Sequence, residues 1–380
     1  MMRVMRAFIW HGASLSIGLV FMTMSLLFGS WLARLPEVQA KLGLSEGQLG
    51  VALLGTAIGA VSITPLSGWL LEKLSAGRAT VWSTLIFCTV IVLPSFAVDQ
   101  WTLMGALFIV GLANSFMNVA MNATASAIEA YNRSAIMSAC HGMFSLGGMI
   151  GAATAGWIAD MGVPLSAHLS MLALGLIGLN LAIRPILLQT PTIKKTGATF
   201  ALPRGPLFRL AAIGLCIMVG ESAVADWSAI YLTKELQAET WLAGWGFAGF
   251  SLTMALGRFS GDTIRMRFGK EDIVRTGALI GASGLLLAIL SPVPGLAILG
   301  FCLVGLGFST IIPILFGLAA QVPNVSAGAG IAAVASAGIA GYLVGPPLIG
   351  FLGEHFGLEA GLGFVLALAL MAAALAGKKR

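Results

Sequence analysis

Twelve apolar stretches follow one another along the 380-residue chain, at approximately 8–34, 48–71, 79–98, 103–128, 135–158, 167–188, 207–232, 242–264, 273–290, 295–316, 327–353 and 358–376. A helix needs about 20 apolar residues to cross a hydrocarbon core of about 30 Å. Each stretch is therefore a candidate membrane span, and the segments between them are too short to hold a soluble domain. Backbone amides in lipid find no water, so spans of this length satisfy their hydrogen bonds internally, as α-helices. Composition agrees: 58% of residues are hydrophobic and only 9% charged, with a mean hydropathy of +0.95, whereas soluble domains are about 25% charged. A soluble enzyme, a nucleic-acid binder and a secreted disulfide scaffold are excluded. The expected fold is an all-α polytopic membrane protein of twelve transmembrane helices.

The longest polar connection contains Pro191, Lys194, Lys195, Pro203 and Arg204. It divides the chain into an N-terminal six-helix bundle (1–190), a linker (191–206) and a C-terminal six-helix bundle (207–380). Lysine and arginine collect on the cytoplasmic side of membrane proteins. With the N-terminus inside, seventeen basic residues fall on that side, against Arg34, Lys41 and Lys234 on the other. Both termini and the linker are thus expected in the cytoplasm. Arg3 and Arg6 ahead of an apolar run imitate a signal peptide, but the run continues to about Trp31 with no small-residue cleavage site, which reads as an uncleaved first helix.

An internal repeat is also legible. Val110-Gly111-Leu112 in the fourth span matches Val304-Gly305-Leu306 in the tenth, an offset of 194 residues. The same offset carries Gly147, Gly151, Gly156 and Asp160 onto Gly341, Gly345, Gly350 and Glu354. Trp31-Leu32-Ala33 similarly resembles Trp227-Ser228-Ala229. Parallel repeats of six helices place a substrate site near the midplane, between the halves.

With these features the chain resembles the major facilitator superfamily over essentially its whole length. In the loop after the second span, Gly68-Trp69-Leu70-Leu71-Glu72-Lys73-Leu74 begins like the family pattern G-x-x-x-D-R-x-G-R-R, with Glu in place of Asp and the later glycine displaced to Gly77. The stretch Gly257-Arg258-Phe259-Ser260-Gly261-Asp262, followed by Arg265 and Arg267, is the degenerate equivalent after the eighth span. Ser30 to Pro36, His141 to Gly148 and Ala225 to Leu232 resemble a branch of bacterial inner-membrane proteins of the YbjJ type, near the fucose-permease relatives. The drug-antiporter signature G-x-x-x-G-P-x-x-G-G is missing its proline in the fifth span, which reads Gly147-Gly148-Met149-Ile150-Gly151-Ala152. The resemblance implies alternating access, a cavity lined by the first, fourth, seventh and tenth helices, and cytoplasmic gate loops. Those loops hold Gly68, Glu72, Lys73 and Arg78 on one side and Arg258, Asp262 and Arg267 on the other.

Ionisable groups at membrane depth are costly, which makes them functional candidates. Glu221 lies twelve residues beyond Arg209, about 18 Å into the seventh span. A carboxyl near the midplane can exchange a proton and couple transport to it; the alternative is a carboxyl bonded permanently to a neighbouring helix. Asp226 lies about 140° further round the same helix and is grouped with Glu221 for coupling. Arg34 occupies the repeat-related region of the first span. An Arg34–Asp226 pair would close the outer gate or anchor an anionic substrate, unless both side chains snorkel to the interface. In the fourth span, Asn114, Asn118 and Asn122 fall within about 80° of one another. They form a polar stripe that contacts substrate or bonds neighbouring helices. Trp227 joins them as a substrate-contact candidate. With no full charge at the deep end of the stripe, a neutral solute such as a sugar or polyol is favoured. His141, near the start of the fifth span, has a side chain suited to proton relay or to plain packing. His11, His168 and His355 sit near helix ends with no evident partner.

Cys88, Cys140, Cys216 and Cys302 all lie in apolar stretches and read as packing residues. No residues have metal-ligand spacing and no phosphate-binding glycine loop is present, so no cofactor, metal or ATP dependence is expected. The leading reading is a proton-coupled secondary transporter of a small polar organic solute in the bacterial inner membrane. Its partners are the solute, protons and lipid, not nucleic acid, and a bundle of this size can work as a monomer. The alternative within transport is a multidrug/proton antiporter. An intramembrane enzyme lacks a paired nucleophile and base here, and a transporter-derived receptor lacks room for a signalling segment.

Overall fold

A computed structural model describes residues 11–132, 136–190, 203–323 and 325–377, except for the side chains at 260–267 and 327. The helices are α1 (Gly12–Ala33), α2 (Leu35–Leu42), α3 (Glu46–Leu74), α4 (Ala76–Val90), α5 (Gln100–Asn132), α6 (Met137–Asp160) and α7 (Leu165–Leu187). They continue as α8 (Pro206–Lys234), α9 (Trp245–Arg267), α10 (Lys270–Ile289), α11 (Pro294–Phe308), α12 (Ile311–Ala319), α13 (Ala327–Phe356) and α14 (Leu358–Ala376). Among the described residues, eleven segments, counting Ala76–Phe96 and Pro294–Ala319 as single spans, are long and apolar enough to cross a membrane. The remaining expected span is α9, which is less apolar because Arg258, Asp262, Arg265 and Arg267 lie in its C-terminal half.

Local chemistry sets the helix ends. Ser45 and Gln48 form a reciprocal capping box at the start of α3. Asp99 holds the start of α5 by accepting from the Thr102 backbone N–H at 2.8 Å. That hydrogen bond keeps its carboxyl below the usual aspartate range. Two features depart from the expectation of plain spans. A short helix, α2, follows α1 directly and ends at Gly43, where φ is +62°. The tenth span breaks between α11 and α12, where the Ser309 hydroxyl turns back to the Leu306 carbonyl at 2.7 Å.

Packing repeats between the halves. In the first, α1 packs on α6, α3 on α5, and α4 on α5 and α7; in the second, α8 packs on α13, α9 on α11, and α10 on α11 and α14. The sequence repeat has a physical counterpart in this pattern. A Cβ on Gly111 would collide with the carbonyl of Thr56, and one on Gly305 would collide with the carbonyl of Phe250. The glycine and the carbonyl it faces are both displaced by the same 194 residues. Glycine is required at these crossings because the two backbones touch. Polar side chains add bonds between helices: Thr80 with Thr124 at 2.8 Å, Asn180 to Thr23 at 3.1 Å and Thr253 to the Cys302 carbonyl at 2.7 Å. Across the halves, α3 meets α13 and α6 meets α9. These two pairs are exchanged by the same pseudo-two-fold relation.

Leucine at Gly111 or Gly305 must push two backbones apart. Each substitution is expected to destabilise the protein by about 1–3 kcal/mol, seen as a lowered Tm on thermal unfolding in detergent. Gly105→Leu is the control: nothing lies within 4 Å of its Cβ position, and Tm should stay unchanged.

Candidate functional site

Between Leu210 and Leu232, α8 is fully covered except at Ala212, Leu215, Met218, Glu221, Ala225 and Asp226. All but Asp226 recur every three or four residues, so they form one stripe, and Glu221 stands on it. Its Oε1 atom is buried and has no hydrogen-bond partner among the described residues. Three other helices bring polar groups to the same region. Arg258 on α9 is partly exposed and lies at least about 120° round the helix from the exposed Leu252 and Leu256. Its guanidinium therefore faces inward, within electrostatic reach of Glu221, of His141 on α6 and of Tyr342 on α13.

Helix geometry sets the depth. The end of the bundle carrying Arg34 and Lys234 is here named the Arg34 end, and the opposite one the Arg209 end. Glu221 precedes Lys234 by thirteen residues, Arg258 follows Trp245 by thirteen, and Tyr342 precedes Phe356 by fourteen. At 1.5 Å per residue all three sit about 20 Å from the Arg34 end. Among the described residues Glu221, Asp226 and Arg258 make no hydrogen bond or ion pair. Tyr342 is 41% exposed, half a turn round α13 from the exposed Phe351 (nine residues on, about 180°). Two opposite faces of one helix are thus uncovered, one towards lipid and one towards the interior. Pro346 and Pro347 carry no N–H to bond the Tyr342 and Leu343 carbonyls, which loosens α13 beside this tyrosine. The same reasoning applies to α5: Asn118 is exposed although it lies about 180° from the exposed Ile109, so it too opens inward. Asn114 is partly exposed on the same side, while Asn122 turns its amide to the Asn118 carbonyl at 2.8 Å. His141 packs edge-on against Phe21, with ring centroids 5.3 Å apart.

Several expectations are corrected. Arg34 does not meet Asp226: it is 3% exposed, bonds Glu37 at 2.5 Å and donates to the Val163 carbonyl at 2.8 Å. The unforeseen helix α2 is the reason, since it folds Glu37 back within one turn of Arg34. Trp227 is 1% exposed and its ring lies against Gly350 of α13, so it packs helices and lines no opening. Arg258 belongs to the mid-depth cluster, not to a gate loop, because packing against α6 and α8 turns that part of α9 inward. Gly68, Glu72, Lys73 and Arg78 are all exposed. Lys73 lies 4.1 Å from the centroid of the Trp69 ring, and none of the charged residues Glu72, Lys73 and Arg78 forms an ion pair with a described residue. The gate residues Asp262 and Arg267 have side chains outside the described set. Tyr342 was not singled out from the sequence; its one signal is rarity, as one of three tyrosines set in an apolar span.

The halves are joined at the Arg34 end. Lys234 bonds Glu46 at 2.6 Å, and Trp157 meets Trp241 edge-on with centroids 5.6 Å apart. A Cβ on Gly156 would lie 2.6 Å from the Trp241 carbonyl, and one on Gly350 would lie 2.5 Å from the Glu46 carbonyl. These glycines are again the repeat pair, now set against the partner half.

Residues 13–237 and 210–378 match the model of the Major Facilitator Superfamily. The chain belongs to this superfamily. It is 33% identical over 362 residues to an uncharacterized MFS-type transporter of Yersinia pestis, covering 95% of this chain and 94% of that protein. It is 29% identical over 358 residues to the membrane protein MosC of Rhizobium meliloti, covering 94% and 88%. Among solved structures, the nucleoside transporter NupG superposes with a TM-score of 0.70 at 16% identity, over 96% of this chain and 98% of that one. A bacterial homologue of the human lysosomal transporter Spinster, in an inward-facing and occupied conformation, gives 0.71 at 14% identity, over 98% and 96%. At these identities the structures establish the fold. The chain is a multi-pass membrane transporter of the superfamily and not an enzyme.

Tryptophan at both Gly156 and Gly350 would collide with carbonyls of the opposite half and hold the Arg34 end apart. At about 1–3 kcal/mol for such overpacking, the joined form should lose about 5–150-fold in relative population. A cysteine introduced at Asn118 should then react correspondingly faster with a membrane-impermeant maleimide added from that side.

Proposed function

We propose that this protein is a proton-coupled secondary transporter that moves a small organic solute by alternating access. Its moving bodies are the bundles 1–190 and 207–380, rocking about their shared faces. The termini lie in the cytoplasm, and the Arg34 end faces outward across the bacterial inner membrane. The observation that carries the reading is Glu221: a carboxyl at mid-depth, with a buried oxygen that has no partner among the described residues, on an incompletely covered stripe of α8. A carboxyl fixed to a neighbouring helix would show that bond, and Glu221 makes none with a described residue. A group that takes up and releases a proton as the halves move needs such freedom. The halves are joined at the Arg34 end by Lys234–Glu46 and Trp157–Trp241, and in this reading the described conformation is closed there, with the site reached from the Arg209 end.

Arg34, bound to Glu37 and Val163, acts in this reading as part of the outer closure and not as a substrate ligand. Asn114 and Asn118 supply amides to the solute, and His141 stands between Arg258 and the Arg209 end as a candidate relay.

The test is accumulation in proteoliposomes under an imposed pH gradient, across sugars, sugar acids, amino acids and cationic dyes. Glu221→Gln should abolish gradient-driven accumulation of whichever solute is carried, yet retain exchange of that solute across the membrane, because exchange needs no net proton movement. Gradient-driven accumulation that survives Glu221→Gln removes the coupling assignment.

A further inference from the structure

Between α10 and α14, at the Arg209 end of the second half, lies a cavity of about 390 Å³ lined by Arg275, Leu279, Leu370, Ala373, Ala374 and Gly377. Its volume is that of a small-molecule site. Arg275 and Leu279 follow Lys270 by five and nine residues, about 8 and 14 Å in from the start of α10. The cavity therefore runs from the membrane surface into the apolar part of the span. Here α10 packs on α11, α12 and α14, and α14 also on α8 and α13, all within the second half. The exposed Leu279 and Leu370 thus lie on the outside of the bundle, and the cavity is a groove open to lipid. Arg209 reaches the same place from α8: a Cβ on Gly377 would lie 3.8 Å from its Nη1 atom.

Two arginines thus stand at one end of an apolar groove, and neither makes a hydrogen bond or ion pair with a described residue. Arginine stays charged, and a cation at the edge of hydrocarbon is costly without a counter-charge. The acidic residues of this end do not supply it. Glu271 and Asp272 occupy the first turn of α10, where carboxylates suit the helix dipole, and neither pairs with Arg275. Lys270 turns to Gln321 at 3.4 Å. The undescribed side chains add positive charge: on α9, Asp262 is outnumbered by Arg265 and Arg267, and Lys378, Lys379 and Arg380 follow Gly377 in the sequence.

We propose that this groove binds an anionic phospholipid, its phosphodiester between Arg275 and Arg209 and one acyl chain along Leu279, Leu370 and Ala373. The forked donors of arginine match two phosphate oxygens, and basic pockets between membrane helices hold anionic headgroups. A water-soluble anion has no use for the apolar lining. A zwitterionic headgroup brings an ammonium against two unpaired arginines. Bound there, the lipid fastens the start of α8 to α10 and α14. Neither the solute nor its coupling enters this assignment.

The experiment titrates the full chain in detergent with dioleoylphosphatidylglycerol, dioleoylphosphatidylethanolamine and the water-soluble glycerol phosphate, and reads bound lipid by native mass spectrometry. Phosphatidylglycerol should be retained in preference to phosphatidylethanolamine, and glycerol phosphate should not displace it. Arg275→Gln and Arg209→Gln should each weaken phosphatidylglycerol binding about 5-fold. Ala374→Trp, which fills the groove without changing its charge, should weaken it at least as much. Arg184→Gln is the control: this exposed arginine ends α7 in the first half, away from the groove, and its loss should leave binding unchanged. Circular dichroism and a monodisperse elution profile establish that each variant folds. Equal retention of the two lipids, or no retention of phosphatidylglycerol, overturns the inference. So does binding that survives both arginine substitutions or Ala374→Trp. An equal loss with Arg184→Gln overturns it in favour of diffuse charge attraction, and displacement by glycerol phosphate overturns it in favour of a soluble anion.

Discussion

A polar group in hydrocarbon can bond only to protein, and nearly every feature of this molecule follows from that constraint. Backbone amides close on themselves as helices. Helices cannot be held together by exclusion of water, since lipid is as apolar as leucine, so they associate through close backbone contact and a few cross-helix bonds. The glycines at 111, 305, 156 and 350 are the points where that contact is tightest. The few ionisable groups that remain at depth are costly there unless other groups balance them.

The two halves share their packing but not their chemistry. The glycine crossings, the helix pairs and the contacts between halves obey the pseudo-two-fold relation. The deep ionisable groups do not: Glu221, Asp226, Arg258 and Tyr342 all belong to the second half, while the first contributes His141 and the asparagines of α5. A duplicated frame thus holds an asymmetric site. In the proposed function, the frame is what rocks, and the asymmetry sets ionisable groups on one side of the site and amides on the other.

Some of this was legible in the sequence because it depends on local sums. The twelve spans follow from apolar length, and the repeat from glycines at a constant offset. The depth of Glu221 follows from its distance to Arg209 along one helix. Other features depend on how a helix is rotated against its neighbours. Arg258 read as a gate residue because it begins a charged run; its inward direction comes from the packing of α9 on α6 and α8. The expected Arg34–Asp226 pair failed for a local reason that hydropathy does not register, namely the one-turn return of α2 that brings Glu37 to Arg34. Trp227 resembled a ligand in its motif but is covered by α13.

The sequence by itself determined that this is a helical membrane transporter of two related halves with few ionisable groups at depth. Only the tertiary structure decided which of those groups face one another. Hydropathy and helical period are properties of one segment, whereas a charge at mid-membrane takes its meaning from the groups that neighbouring helices turn towards it.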